Sequence, residues 1–311
     1  MHEKFQGNFN VDVDTICVLL EAYGIAPKKC ENVTFSKIIP RMLKFFAAQA
    51  ILATFFVVGR YAQNKANKKI FLQMVSEGHE IANHTQSHRP NFSSLTKEQK
   101  ELEVTGAHNA IWDACAEKPL GFRAPGWDID SETYSVLEKL GYSYDSSIVP
   151  SGFMQWIPSA MNFFNKGKTA WTKIGKPEYA SAPKEPYYPN PQKIWQKGTS
   201  KVLEIPVSTF SPICAPFYAT AFFASHPAFF SPAYALLNNK KYVNFQLHSI
   251  DFVDQKNDAK KVYWEGLRHP VLRYSIGERI SFFEKAAKKM SEKYEFKTLA
   301  QIAEKKSKAG Q

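Results

Sequence analysis

Seven short strand-like runs recur along the chain, and stretches of helical periodicity lie between most of them. The runs are FNVDVD (9–14), LATFFVV (52–58), HEIAN (79–83), GFRA (121–124), YSYD (142–145), VLEIPV (202–207) and YVNFQLH (242–248). This alternation predicts an α/β fold with a parallel sheet. The clearest helix is expected from Thr96 to Cys115, opened by Thr96 and Gln99 as a capping box. A second runs from Ser131 to Leu140 between the cap Asp130 and the terminating Gly141. A third begins near Ser275, with Glu278 completing its box and Ile276, Ile280 and Phe283 on one face. Two segments, 148–201 and 209–241, break the rhythm and, together with Pro206, hold most of the 18 prolines. Excursions that long shape binding sites more often than they merely connect elements. No internal repeat or linker divides the 311 residues, so a single domain over 1–311 with two insertions is expected.

Composition narrows the function classes. A formal charge of +11 favours anionic partners. Much of the excess lies in lysines interleaved with glutamates near the C-terminus, as on a solvated helix, and no nucleic-acid-binding signature is present. Nucleic acid is therefore not an expected partner. Cys17, Cys30, Cys115 and Cys214 are widely spaced and read as reduced thiols of a cytoplasmic protein. The start of the chain carries no basic segment followed by an apolar one, so no export signal is expected. The longest uncharged window, Ile205 to Asn239, is interrupted by five prolines and should not span a membrane. Its many Phe and Tyr side chains suit an aromatic groove or a lip dipping into a bilayer interface.

The strand ends carry the chemistry. The first run ends in Asp12 and Asp14, the third in His84 with His88 four residues on, the fourth in Arg123, the fifth in Asp145 and the last in His248. Parallel α/β folds gather their functional groups at the C-terminal ends of strands. Two histidines four apart are a weak signal alone. Asp12 and Asp14, however, stand at i and i+2 of a strand and face the same side, where a cation would relieve their repulsion. One carboxylate and two imidazoles make three ligands for a divalent ion, with positions left for water and substrate.

These segments resemble the NodB-homology polysaccharide deacetylases, carbohydrate esterase family 4. That family's motifs appear here in order as DVD, HTQSH, RAPGW and FQLH, over about Phe9 to Ile302. The resemblance implies a distorted (β/α) barrel, in agreement with the seven runs. The sequence also departs from the family pattern: Val13 separates the two aspartates, Thr15 replaces a glycine, Trp127 lies one place late, and a tryptophan is missing near Asp145. A D-x-D first motif is similar to that of the lipid-linked aminoarabinose deformylases and of certain peptidoglycan deacetylases.

The resemblance further implies that Asp14, His84 and His88 hold one divalent metal, zinc first, with cobalt, nickel or manganese as substitutes. Asp12 would be the general base and His248 the acid that protonates the departing amine. Arg123 would orient Asp12, and Asp145 would support His248, with Glu204 and Asp251 as competitors for that role. Pro125, Trp127 and Leu247 would meet substrate, Trp127 by stacking on a sugar or else as part of the core. The expected activity is removal of an N-acetyl or N-formyl group from an amino sugar in a cell-envelope polysaccharide or a lipid-linked saccharide. The expected location is the cytoplasm, with peripheral contact at the inner face of the membrane. The alternatives are an amidase acting on a non-sugar linear amide and a catalytically silent carbohydrate-binding relative.

Overall fold

The computed structural model describes residues 4–22, 24–25, 32–154, 174–210, 214–237, 240–258 and 269–309. All seven expected runs form strands: β1 (Phe5–Val13), β2 (Ala53–Val57), β3 (Glu80–Asn83), β4 (Gly121–Phe122), β5 (Tyr144–Asp145), β6 (Leu203–Glu204) and, after a short hairpin, β9 (Tyr242–His248). The hairpin joins β7 (Thr209–Phe210) to β8 (Ala215–Pro216), and β10 (Tyr294–Phe296) adds an eighth strand to the main sheet. Every pairing in that sheet is parallel, in the order β9-β1-β2-β3-β4-β5-β6, with β10 beside the first residues of β1. The sheet curls into a (β/α) half-barrel.

Between β6 and β9 the wall is bridged by side chains. Pro206 directly follows β6 and has no N–H to donate to a ladder. Asn244 of β9 fills that role, its amide donating to the carbonyls of Ile205 (3.3 Å) and Pro206 (3.1 Å), while its backbone N–H donates to Ser208 Oγ (2.9 Å).

The helices start where the caps place them. Thr96 and Gln99 form the reciprocal box of helix Lys97–Cys115, Asp130 accepts from Thr133 N at the head of Ser131–Lys139, and Ser275 and Glu278 open Ile276–Ser291.

β1 and β9 share one pattern. Asn8, Asn10 and Asp12 alternate with Phe9, Val11 and Val13, and Asn244, Gln246 and His248 alternate with Val243, Phe245 and Leu247. The apolar set belongs to a large core shared with the surrounding helices, and the polar set meets inside the barrel. A buried parallel strand is more often apolar on both faces. Here the polar column leads to the functional end.

The aromatic wealth is spent in the outer core. Phe245 lies 5.4 Å from Phe217 and 5.3 Å from Phe9, and Phe223 lies 5.0 Å from Phe282 and 5.8 Å from Phe283. This corrects the expected aromatic lip: Phe222, Phe223 and Phe230 are buried, and only Phe229 of that quartet is exposed, at 58%. The second excursion therefore packs its rings onto β9 and helix Ile276–Ser291 through its two short helices, Ala219–Ser225 and Phe230–Ala235. Parts of both excursions, 155–173, 211–213 and 238–239, lie outside the described residues.

Two further expectations are revised. Cys17 is disulfide-bonded, whereas Cys115 and Cys214 are free, so the reading of four reduced thiols fails at Cys17, and Cys30 lies outside the described residues. Disulfides persist in oxidising compartments, so the cysteines no longer argue for the cytoplasm. Among the described residues no helix is long and apolar enough to cross a membrane.

Phe223→Ala should lower unfolding free energy by about 3–5 kcal/mol through cavity formation. Phe229→Ser should stay within about 0.5 kcal/mol of wild type, as exposed substitutions do. Urea unfolding of both variants checks the two outcomes; equal effects would contradict the packing described.

Candidate active site

The site sits where β1, β3, β4 and β9 end. β3 runs into a tight loop that carries both histidines, and two residues there, Thr85 (φ 63°) and His88 (φ 57°), adopt left-handed backbone. Such positions are strained for side chains with a Cβ and persist where surroundings dictate them. Asn83 Oδ1 accepts from Thr85 N (2.8 Å), Thr85 Oγ1 from His88 N (3.1 Å), and the Glu103 carboxylate from Ser87 N (2.9 Å) and Ser87 Oγ (2.5 Å). Gly59 N and Arg60 N donate to the carbonyls of Thr85 and Gln86, both at 2.9 Å. A Cβ on Gly59 would stand 2.6 Å from Ala107 Cα, so only glycine lets the backbone approach this loop and the helix behind it together.

Within this frame, Asp14, His84 and His88 converge, with one ligand atom of each lying within 4.8 Å of the others. His88 Nε2 and His84 Nε2 lie 3.3 Å and 3.7 Å from Asp14 Oδ1. His84 Nδ1 is 2.8 Å from the Arg123 carbonyl, which can only accept, so Nδ1 carries the proton and Nε2 offers a lone pair. Burial lowers the pKa of both imidazoles, that of His88 to about 4, which keeps them neutral as metal ligands must be. Asp14 is pushed up by burial, with the nearby Asp12 carboxylate adding to the rise, and its Oδ1 is buried without a hydrogen-bond partner. An orphaned carboxylate oxygen facing two neutral imidazole nitrogens fits a divalent cation.

Asp12 is held differently. Its Oδ1 accepts from Arg123 Nη1 (2.7 Å) and its Oδ2 from Gln246 Nε2 (2.6 Å). Burial alone would raise its pKa, but the Arg123 guanidinium, by charge and hydrogen bond, leads the groups that outweigh that and holds the carboxylate below its usual range. Arg123 is fully buried, with its remaining donors on Asn10 Oδ1 (2.5 Å), Ser146 O (2.7 Å) and Ser146 Oγ (2.8 Å), and its plane lies 4.0 Å from the Phe56 ring centroid. His248 Nε2 stands 3.8 Å from Asp12 Oδ2. His248 and Asp12 thus lie on the same side of the site as direct neighbours.

Four residues named from the sequence, Asp145, Leu247, Pro125 and Trp127, take structural places behind or beside the site. Asp145 does not reach His248; its Oδ1 accepts from Ser147 Oγ (2.6 Å) and its Oδ2 from Ser147 N (3.1 Å) and Tyr134 OH (3.3 Å). The acid beside His248 is Asp251, whose Oδ2 accepts the His248 backbone N–H at 2.7 Å and which burial pushes up to about 6. Leu247 is fully buried in the outer core, because its neighbours Gln246 and His248 take the inward face. Pro125 is buried in the turn after β4, and Trp127, 8% exposed, packs among Val149, Met154, Ile174, Val207 and Tyr218, so its ring is core first. Gln246, Asn10 and Ser146 join the site without having been expected there, although the alternation N-x-N-x-D on β1 and N-x-Q-x-H on β9 places the first two on the site's face.

The curled parallel sheet thus gathers Asp14, His84 and His88 at its strand ends as a candidate cation site. A family model described as polysaccharide deacetylase matches residues 26–144. The peptidoglycan deacetylase of Helicobacter pylori is 28% identical over 170 residues, 53% of this chain and 55% of that protein. A chitooligosaccharide deacetylase of Sinorhizobium fredii is 39% identical over 100 residues, 31% of this chain and 45% of that protein. The chain spans about half the length of the curated relatives it matches. Among solved structures, a candidate polysaccharide deacetylase from Mycobacterium smegmatis shares the fold, with a TM-score of 0.58 and 18% identity over 97% of this chain and 90% of that one. Over residues 26–144 the chain is thus similar to the NodB-homology polysaccharide deacetylases, carbohydrate esterase family 4.

Asp145 and Glu204 form a buried acid pair behind this site. Glu204 accepts from Tyr134 OH (2.6 Å) and Ile148 N (3.0 Å), and burial, then the Asp145 charge, pushes its carboxyl well above the usual range. The folded state thus retains a proton that the unfolded chain releases near its ordinary pKa, so stability from this pair is complete at low pH and declines as pH rises above that value. Glu204→Gln should make the urea midpoint fall less steeply between about pH 5 and 8 than in wild type. An unchanged slope would count against the shared proton.

Proposed function

We propose that this protein is a divalent-metal-dependent hydrolase that removes the N-acetyl group from an amino sugar of a cell-envelope glycan, such as peptidoglycan or a chitooligosaccharide. The observation that carries this reading is the separation of two carboxylates two residues apart: Asp14 faces His84 and His88, while Asp12 is turned onto Arg123 beside His248. The named activities of the H. pylori and S. fredii relatives support the substrate class. Acetyl on a glycan is preferred over a lipid-linked carrier, because the rings that would enter a bilayer are buried. A silent binding module would have no need of an orphaned Asp14 oxygen beside two neutral imidazoles.

Asp14, His84 and His88 would hold the ion, zinc by the chemistry of two imidazoles and one carboxylate. When bound, it supplies Lewis acidity that polarises the amide carbonyl and acidifies a water. Asp12, ionised and fixed by Arg123, accepts the proton of the attacking water at Oδ2, the oxygen nearer His248. His248 Nε2 donates a proton to the departing sugar nitrogen, without which an amine leaves badly. The buried walls around Arg123 keep water from its contact with Asp12 Oδ1, which strengthens that ion pair, while Oδ2 faces the reacting water.

Incubation of zinc-loaded protein with N-acetylated chitooligosaccharides and muropeptides should release acetate and leave free amines visible by mass spectrometry. No release with zinc, cobalt, nickel or manganese would overturn the reading. Asp12→Asn should lower kcat by about 100-fold or more, the scale of a lost general base, while elemental analysis finds the metal retained. His84→Ala and His88→Ala should lose metal and activity together. His248→Ala should slow amide cleavage far more than cleavage of an activated acetate ester, whose leaving group needs no proton. Equal losses on the two substrates would remove His248 from the acid role.

A further inference from the structure

Gln246 stands between the two groups that move protons. Its Nε2 lies 2.6 Å from Asp12 Oδ2 and 3.4 Å from His248 Nε2, and its Oε1 lies 3.1 Å from Trp127 Nε1. An indole N–H can only donate, so Oε1 must face Trp127 and the NH2 group must face Asp12. The amide therefore has one permitted orientation. Were it flipped, its oxygen would oppose the Asp12 carboxylate and its NH2 would oppose the indole N–H. With Arg123 on Oδ1 and Gln246 on Oδ2, both carboxylate oxygens are anchored and the plane of Asp12 is set.

Trp127 is placed for this contact at some conformational expense. Its φ is 54°, in the left-handed region that bulky residues seldom adopt, next to Gly126 at φ 62°. The turn after β4 that contains both residues is pinned by Gly175 N donating to Gly126 O (3.0 Å) and by packing of Ile174 against the indole. The late position of Trp127 within RAPGW, and Gln246 rather than an apolar residue two places before His248, are thus two halves of one device.

We propose that Trp127 and Gln246 are positioning residues, a donor chain from indole to amide to carboxylate that fixes Oδ2 of Asp12 toward His248. The assignment rests on the deacetylase reading. Gln246→Leu keeps side-chain bulk and removes both hydrogen bonds. In the zinc-loaded enzyme it should lower kcat about 10- to 100-fold, the scale of a misplaced reacting group, with KM and metal content near wild type and a lowered thermal midpoint, since the buried Trp127 N–H loses its acceptor. Trp127→Phe keeps the packing and frees the amide to flip, so it should also lower kcat. The double variant should be no worse than Gln246→Leu alone, because the two act in series. Gln246→Glu keeps the Trp127 acceptor but sets a second carboxylate against Asp12, and should not rescue kcat.

A readout independent of turnover is the indole N–H resonance of Trp127, assigned by its loss in Trp127→Phe. It should shift and exchange faster with solvent in Gln246→Leu. An unmoved resonance, an unchanged kcat in Gln246→Leu, or fully additive losses in the double variant would overturn the chain. A wild type that releases no acetate while the resonance shifts as described would instead overturn the deacetylase reading, and with it the catalytic part of the assignment.

Discussion

One buried ion pair organises this molecule. Arg123 has no solvent exposure, so its charge must be matched inside the barrel, and Asp12 is the group that matches it. A lone buried charge would cost several kcal/mol, and breaking such a pair by removing one partner costs about 3–5 kcal/mol. The remaining guanidinium donors recruit Asn10 and Ser146, and Ser147 Oγ links the adjacent Ala124 N–H to Asp145. The charge of Arg123 thus reaches, through short hydrogen bonds, into β1, β4 and β5 at once. The same pairing keeps Asp12 ionised and turned away from Asp14, His84 and His88.

The barrel interior follows from this. Asn8, Asn10 and Asn244 satisfy one another down the axis, with Asn10 Nδ2 donating to Asn8 Oδ1 (3.0 Å) and to Asn244 Oδ1. At the opposite mouth Glu80 accepts from Tyr144 OH and Thr54 Oγ1, both at 2.8 Å, and from Ala300 N at 3.0 Å. A polar column of this kind is tolerable only when nearly every group has a partner. Apolar driving force comes from the outer layer, where the phenylalanines of β1, β9 and the second excursion interlock with helix Ile276–Ser291. The division explains how a chain so rich in aromatic residues keeps few of its large rings on the surface among the described residues.

The two groups proposed to handle protons and the three proposed to hold a cation reach the site by different means. Asp12 and His248 are carried by strands whose register is fixed by pairing of Asp12 with Phe56 and with His248, and Asp14 directly follows the first of these strands. His84 and His88 depend on a loop with two left-handed residues, held by Asn83, Glu103 and the backbone beside Gly59. Strand register gives rigidity, whereas the loop supplies the sharp reversal that turns His88 back toward His84, their ring centroids 4.9 Å apart.

Much was legible in the residues alone. Periodicity located the strands that β1 to β6 and β9 became, and capping residues located the heads of three helices, because both signals are local: side-chain alternation and the unsatisfied N–H groups of a first helical turn. Ionisable residues at strand ends pointed to Asp12, Asp14, His84, His88, Arg123 and His248, since packing offers no reason to end apolar runs that way. What remained to tertiary structure was contact between segments far apart in sequence. Asp145 ends a strand just as Asp12 does, yet its carboxylate is taken by Ser147 and Tyr134, and only the packing of the helix from Ser131 reveals this. The aromatic excursion had the composition of a membrane lip and became core, because burial depends on what covers a ring. Gln246 and Trp127 lie 119 residues apart, and no pattern within either segment could state that one donates to the other.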